Sequence, residues 1–371
     1  MLKELFETDF VDRNPALSVI LAARDEERSV NESVLSMLAQ DYSGMLEVIA
    51  VNDRSTDRTG EILDELVTRF PDRLRVLNVE SLPGGWLGKT HALYTGAAQA
   101  TGEWLLFTDA DVIFSAGCAE KAVRYAIDDG LDHLTLPPEI VCNGVLLRSF
   151  VAAFILVFEM TQRPWRVSDP QAQEHVGIGA FNLIRKAAYE TCGTHSAIRM
   201  RPDDDMKLAK LLKGHGFRQG VAYGAGLVGV EWHQTLRGAV RGLSKSMFSG
   251  LDYRIGATVA GVLMLLLTNV FPVFGLFSRN LTGTLCRLNI LSTILVYAYR
   301  ARQFGDETPW WYAVLHPFGI CVFIYAMLRS AFTTLVNGGI EWRGTRYPLK
   351  ELKDNVSDQR CGTGPPRPPS R

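Results

Sequence analysis

Short apolar runs and amphipathic stretches alternate along the first part of the chain. Leu17–Ala23 is an apolar, β-branched run that predicts a buried parallel strand. Between Glu26 and Gln40 the apolar residues Val30, Val34, Leu35 and Leu38 recur at helical spacing. Leu46–Val51 predicts a second strand and Thr59–Phe70 a second helix. Leu74–Val79, a helix from Thr90 to Ala100, and Trp104–Thr108 continue the alternation. Repeated β–α units imply an α/β fold with a mostly parallel sheet and right-handed crossovers. Ligands then collect at the carboxyl ends of the strands.

From Ile255 the pattern changes. Ile255 to Phe277 is a charge-free apolar stretch of bilayer length. Leu288 to Tyr299 reaches spanning length only if it starts near Leu281 and takes Arg287 inside. Trp310 to Leu328 is apolar, with Trp310 and Trp311 placed as an interfacial belt. The reading is a soluble α/β domain over 1–250, a transmembrane region of about three helices over 251–340, and a tail over 341–371. That tail, ending in Gly-Pro-Pro-Arg-Pro-Pro-Ser-Arg, is expected to be disordered past Asp354. Val145 to Met160 is also apolar, but short and interrupted by Arg148 and Glu159, which suits a helix in the membrane interface or a core helix.

Arg237, Arg241, Lys245 and Arg254 precede the first span, so the positive-inside rule puts the soluble domain on the cytoplasmic face of an integral (inner) membrane protein. Three spans would export a tail that carries Arg343, Arg346, Lys350 and Lys353. Either one segment is a re-entrant pair or the tail is an exception to the rule.

Composition removes several classes. The 39 Lys and Arg nearly balance 40 Asp and Glu, for a net charge of -1, which argues against a nucleic-acid partner. The six cysteines contain no CxxC pair, so zinc ribbons, disulfide frameworks and thioredoxin chemistry are unsupported. A reducing, cytoplasmic setting fits. The acidic start of the chain, without an apolar core, predicts no signal peptide. No HxxxH or HExxH occurs, and His233 beside Trp232 reads as structural before it reads as a metal ligand.

The polar motifs follow the predicted strand ends. Asp109-Ala-Asp111 lies just past Trp104–Thr108. Two carboxylates one residue apart at a strand exit can grip Mg²⁺ or Mn²⁺ and aim it at a diphosphate. Asp53 follows the second strand, where its carboxylate can accept from a nucleobase N–H or a ribose hydroxyl, whereas Asp57 reads as a helix cap. Ala22, Ala23 and Glu26 at the first strand's exit frame the same nucleotide. Gly84-Gly-Trp-Leu-Gly-Lys89-Thr lacks the first glycine of a P-loop, because Pro83 stands there, yet Lys89 at a helix start can meet a phosphate. Asp203-Asp204-Asp205 opens a helix with more acid than capping needs, and a carboxylate there can serve as general base.

Together these residues resemble the family 2 glycosyltransferases, over roughly residues 15–250. The resemblance implies the GT-A fold and inversion at the anomeric carbon. Asp53 matches the family's first aspartate, Asp109-Ala-Asp111 its DxD, and Asp204-Asp205-Met-Lys-Leu-Ala its ED-x-x-L-A element. The resemblance makes Asp205 the catalytic base, with Asp204 in place of the usual Glu. Gln234-Thr-Leu-Arg237-Gly238 is similar to the QxxRW element, and Arg237 then serves the donor diphosphate. Gly238 stands where Trp is expected, which argues against processive polymer synthesis. Gly84–Ala92, Gly177–Glu190 and Ile340–Tyr347 resemble the membrane-bound hopanoid-associated, carotenoid and ceramide-type lipid branch. The activity implied by this resemblance is metal-dependent sugar transfer from a nucleotide-sugar, expected to be a UDP-sugar, to a lipid or isoprenoid-like acceptor. A polyprenyl-phosphate sugar synthase is the enzymatic alternative; a catalytically silent nucleotide-sugar-binding membrane protein is the non-enzymatic one.

Overall fold

The computed structural model describes residues 3–4, 15–224, 226–304 and 309–361. The chain forms two compact units: one holds residues up to Val141, 162–231 and those from Asp354, and the other holds 142–161 and 232–353. The start of the chain, where no signal peptide is expected, lies largely outside the described residues, as does the Gly- and Pro-rich end.

The first unit opens with Lys3–Glu4 (β1), Leu17–Ala23 (β2), Val30–Leu38 (α1), Leu46–Asp53 (β3) and Thr59–Arg69 (α2). Leu74–Val79 (β4), Gly88–Gln99 (α3), Trp104–Asp109 (β5) and Val112–Phe114 (β6) follow. Next come Cys118–Asp128 (α4), His133–Thr135 (β7) and Glu139–Ile140 (β8). Val145–Gln162 (α5) then leaves for the second unit. The chain re-enters the first unit and forms Asn182–Arg185 (β9), Lys186–Thr191 (α6), Asp204–Gly214 (α7), Gln219–Tyr223 (β10) and Val228–Val230 (β11).

Eight strands form one sheet in the order β1-β10-β7-β9-β5-β2-β3-β4. All neighbours are parallel except β9, which runs antiparallel to both β5 and β7. The expected α/β sheet is therefore present, with one reversed strand that periodicity did not announce. A continuous apolar strand suits burial on both faces; every residue of β2 except Ala22 is buried. On one face Ile20, Ile49, Phe107 and Ile184 pack against Ala92, Leu93, Leu208 and Leu212 of α3 and α7. A smaller sheet, β6-β11-β8, follows directly from the turn after β5.

The second unit continues with Leu236–Leu243 (α8), Met247–Gly250 (α9), Ile255–Leu265 (α10), a π turn over Leu266–Val270, and Phe271–Gly275 (α11). Leu281–Phe304 (α12), Tyr312–Val336 (α13) and a hairpin of Gly339–Trp342 (β12) and Thr345–Pro348 (β13) complete it. Among the described residues, four helical stretches are long and apolar enough to cross a membrane: Val145–Arg166, Ile255–Gly275, Leu281–Arg302 and Tyr312–Val336. Arg287 lies inside α12, and its guanidinium donates to the Leu276 and Ser278 carbonyls just past the end of α11. Asn269 in the π turn, His316 and Tyr297 form a hydrogen-bonded chain, His316 Nε2 to Asn269 Oδ1 at 2.9 Å and Tyr297 Oη to His316 Nδ1 at 3.0 Å. Polar side chains in such a bundle are kept by pairing with one another.

Leu349–Cys361 (α14) carries helix past Asp354, where the sequence suggests disorder. Leu349, Leu352 and Val356 recur at helical spacing, and Leu352 and Val356 are buried.

Candidate active site

The register of the central strands brings the first set of expected donor residues side by side. Ala22 pairs with Val51 on one side and Asp109 on the other, and Ala23 pairs with Asn52. The loops after β2 and β3 are then knitted together. The Glu26 N–H donates to Thr59 Oγ1 at 2.8 Å, the Thr56 N–H to Asp25 Oδ1 at 2.8 Å, and the Glu27 N–H to Asp57 Oδ2 at 3.1 Å. Asp57 also accepts from the N–H of Thr59, the first residue of α2, at 3.0 Å, although Arg58 and not Asp57 holds the N-cap position. Asp25 and Arg54 hold left-handed backbone, φ 53° and 57°, a conformation that concentrates at functional loops.

Asp53 ends β3 and is buried. Arg54 grips its carboxylate from one side, Nε to Oδ1 at 2.8 Å and NH2 to Oδ2 at 3.1 Å, and Arg24 approaches from the other at 3.6 Å. Neither arginine is evident from the motif alone. Gly88 opens α3 directly above this carboxylate, and a Cβ there would overlap Asp53 Oδ2. The glycine lets the helix start on the acid. The ring of Trp86 packs on His91 and Tyr94 beside it.

Lys89, the second residue of α3, points to the other end of the cluster. Its ammonium lies 2.7 Å from Asp109 Oδ1 and 3.6 Å from Asp204 Oδ1. Burial opposes its charge, but Asp109, Asp204 and Asp205 outweigh burial and hold its pKa above the ordinary lysine value. Asp111 sits in the turn between β5 and β6. Burial, then the charges of Asp109 and Glu26, push its carboxyl up to about 7.

The three acids at the start of α7 have three different sets of partners. Asp203 is clamped by the fully buried Arg201, Nε to Oδ1 at 3.0 Å and NH2 to Oδ2 at 2.9 Å, and by Lys207 at 3.5 Å. Asp204 is buried and faces Lys89; burial first, with Asp205 and Asp109 adding, pushes it up to about 7 against the lowering effect of Lys89. Asp205 accepts from the Gly179 N–H at 2.8 Å and the Met206 N–H at 2.8 Å, and burial is the main reason its carboxyl is raised.

Gly179 joins the two halves of the cluster. A Cβ on it would lie 2.7 Å from Asp109 Oδ2 and 3.3 Å from Lys89 Nζ, while its N–H serves Asp205. Its sequence neighbourhood, Gly177-Ile-Gly-Ala, carries no chemistry that reveals this. Asp53, Asp109, Asp111, Lys89, Asp204, Asp205, Glu26 and the two alanines therefore belong to one unit and cluster around its strand ends. Arg237 belongs to the second unit, exposed on α8, whose start is capped by Thr235. His233 lies there too, its ring against Gly242 and Trp232. Among the described residues, no three His, Cys, Asp or Glu side chains close around one point as a ready metal cage.

Residues 18–193 match the model of the family described as Glycosyl transferase family 2. The chain is 24% identical over 346 residues to a 4,4'-diaponeurosporenoate glycosyltransferase of Staphylococcus aureus (strain MRSA252), covering 91% of this chain and 89% of that protein. The protein of the same description from strain USA300 is 22% identical over 343 residues, with the same coverage. Among solved structures, the fold is similar to that of a mannosyltransferase from Pyrobaculum calidifontis in complex with GDP-Man and Mn²⁺, with a TM-score of 0.52, 16% identity and 88% of each chain covered. With its mostly parallel sheet and acid-lined strand ends, this membrane-associated chain carries a family 2 glycosyltransferase domain of the GT-A fold and is a glycosyltransferase.

Proposed function

We propose that this chain is an inverting, metal-dependent enzyme that transfers a sugar from a nucleotide-sugar, a UDP-sugar being the expected donor, to a lipid or isoprenoid-like acceptor. The observation that carries this reading is the acid cluster at the sheet's carboxyl edge, with Lys89 between Asp109 and Asp204. Asp109 and Asp111 are the residues to hold Mg²⁺ or Mn²⁺. They suit that role, because burial, and then the charges of Asp109 and Glu26, disfavour a bare carboxylate at Asp111, which a cation there would offset. Two carboxylates leave further positions to diphosphate and water, as Mg²⁺ prefers. The cation, when bound, neutralises charge on the departing diphosphate.

The chain's own residues do the rest. Asp53 accepts from the nucleoside, with Arg24 and Arg54 fixing its orientation; Ala22, Ala23 and Glu26 line the same seat. Lys89 supplies positive charge to the diphosphate. Asp205 takes the acceptor hydroxyl's proton as that oxygen bonds to the anomeric carbon. The bond from that carbon to the diphosphate breaks, and the nucleoside diphosphate leaves with the electron pair. Burial raises the affinity of Asp205 for a proton, in keeping with a base, and Asp204 holds Lys89 beside it.

The diaponeurosporenoate relatives and the four long apolar helices support a lipid acceptor drawn from the bilayer. The basic residues ahead of α10 support the cytoplasmic face of the inner membrane. Residues from Asp354 group with the sheet in one unit, which supports an even number of crossings between Trp232 and Lys353. One of the three downstream apolar segments is then re-entrant rather than fully spanning.

The test is a screen of nucleotide-sugars with Mg²⁺ or Mn²⁺, with extracted lipids as acceptors and mass spectrometry of the products. A glycolipid is expected with one donor class, and its formation should stop in excess chelator. Undiminished turnover in chelator, or with Asp109 and Asp111 both changed to Ala, would sink the metal role.

A further inference from the structure

By length and composition, α5 is as able to cross a bilayer as α10–α11, α12 or α13. Its 18 residues span about 27 Å at the α-helical rise, close to the thickness of a hydrocarbon core. The pairing of the sheet forbids the crossing. Before α5, β7 pairs with β10 and β9, and β8 pairs with β11. After α5, β9 pairs with β5 and β7. The chain on both sides of the helix is thus hydrogen-bonded into one unit, on one side of any membrane.

A crossing by α5 would require residues 163–181 to cross back. That segment has only one short 3-10 turn, Pro164–Arg166, and otherwise no regular hydrogen bonding. It carries Arg163, Arg166, Asp169 and Glu174. A backbone without helix or closed sheet does not pass through hydrocarbon, and four charges compound the cost.

Yet α5 is not dressed as a soluble helix. Val145, Leu146 and Met160 are exposed, and Phe154 to Phe158 are only half-buried. Part of its cover comes from the apolar bundle. Ala153 and the Ser149 carbonyl meet Gly319 of α13, Ala152 packs with Tyr297 and Tyr312, and Phe154 meets Phe323. Its one acid, Glu159, is paired with Arg300 of α12, so no naked carboxylate faces the lipid. Exposed Trp165 and the two arginines beside it stand just past its end, a composition suited to the headgroup level.

We propose that α5 is a non-crossing, in-plane membrane helix: it lies within the leaflet that adjoins the catalytic unit, with its uncovered apolar surface against acyl chains. This rests on the membrane association of the chain and is independent of its donor, its metal and its acceptor. Every true crossing then lies beyond Trp232, and α5 is an anchor inserted into the catalytic fold itself, between the DxD strand and the base-bearing helix.

The test uses single cysteines in the full-length protein in sealed membrane vesicles. Cys321 and Cys361 are changed to Ser; the other four cysteines are buried. Asn143→Cys and Ser168→Cys flank α5, and Glu61→Cys on α2 reports the side of the catalytic unit. With a membrane-impermeant thiol reagent, both flanking sites should label from the same side as position 61, within about twofold in extent. Labelling of 143 and 168 from opposite sides would overturn the proposal. A fluorophore at Leu146→Cys or Met160→Cys, in protein that retains its label pattern, should be quenched at least twofold more by shallow than by deep nitroxide lipids. Absence of quenching, or strongest quenching at the bilayer centre, would overturn it as well.

Discussion

Close approach sets the chemistry of this site as much as charge does. Gly179 leaves no room for a Cβ between Asp109 and Lys89, so Gly179→Ala should displace one of them. Activity is expected to fall by at least tenfold (about 1.4 kcal/mol) while the circular dichroism spectrum stays unchanged; a fully active alanine variant would refute the packing assignment. Asp205→Asn removes the proposed base but keeps an acceptor oxygen. Transfer to a hydroxyl acceptor should be abolished while donor affinity, read by titration calorimetry, stays within a few fold. Intact turnover with weakened donor binding would assign Asp205 to the nucleotide instead.

Elements are aimed at the site by contacts outside it. The start of α7 is pinned because Arg201, fully buried, holds Asp203 through two hydrogen bonds while Lys207 reaches the same carboxylate. Breaking a buried pair by removing one partner costs about 3–5 kcal/mol. Arg201→Met should therefore lower stability by that order in denaturation of the detergent-solubilised protein. It should also lower kcat, since Asp204 and Asp205 are the next residues on the helix. A stable, fully active variant would show that α7 is held by its apolar face alone. On α3, Gly88 plays the matching part, seating the helix start on Asp53 so that Lys89 reaches Asp109.

At the scale of the whole molecule, two buried histidines tie the catalytic unit to neutral pH. His133, paired with Asn182, is held by burial at about 4, and His195, bonded to Tyr189, at about 3. An unfolded histidine titrates near about 6.5, so below that pH the unfolded chain binds protons that the folded one refuses. The stability these two rings contribute is full above about pH 6.5 and declines as pH falls toward 4, by up to about 1.4 kcal/mol per pH unit for each histidine. Asp111 and Asp204, raised to about 7, act in the opposite sense over the same range, so the test is differential. Relative to the native chain, His133→Gln should lose less stability as pH falls from 7 to 5, and melting temperatures that keep a constant difference between the two proteins over that range would contradict the buried neutral state of His133.

Much of this protein is local, and local patterns are legible in a sequence. The β2, β3, β4 and β5 runs, the helices between them and the acids at their ends all follow from short-range periodicity, because burial of a strand or helix face writes itself into neighbouring residues. The three apolar stretches after Ile255 are visible for the same reason. Pairing between distant segments has no such signature. The antiparallel insertion of β9, the two arginines on Asp53 and the fit of Gly179 against Asp109 arise only when residues far apart in the chain meet. The same holds for α5, whose composition permits a crossing that β5 and β9, hydrogen-bonded to each other across it, do not allow.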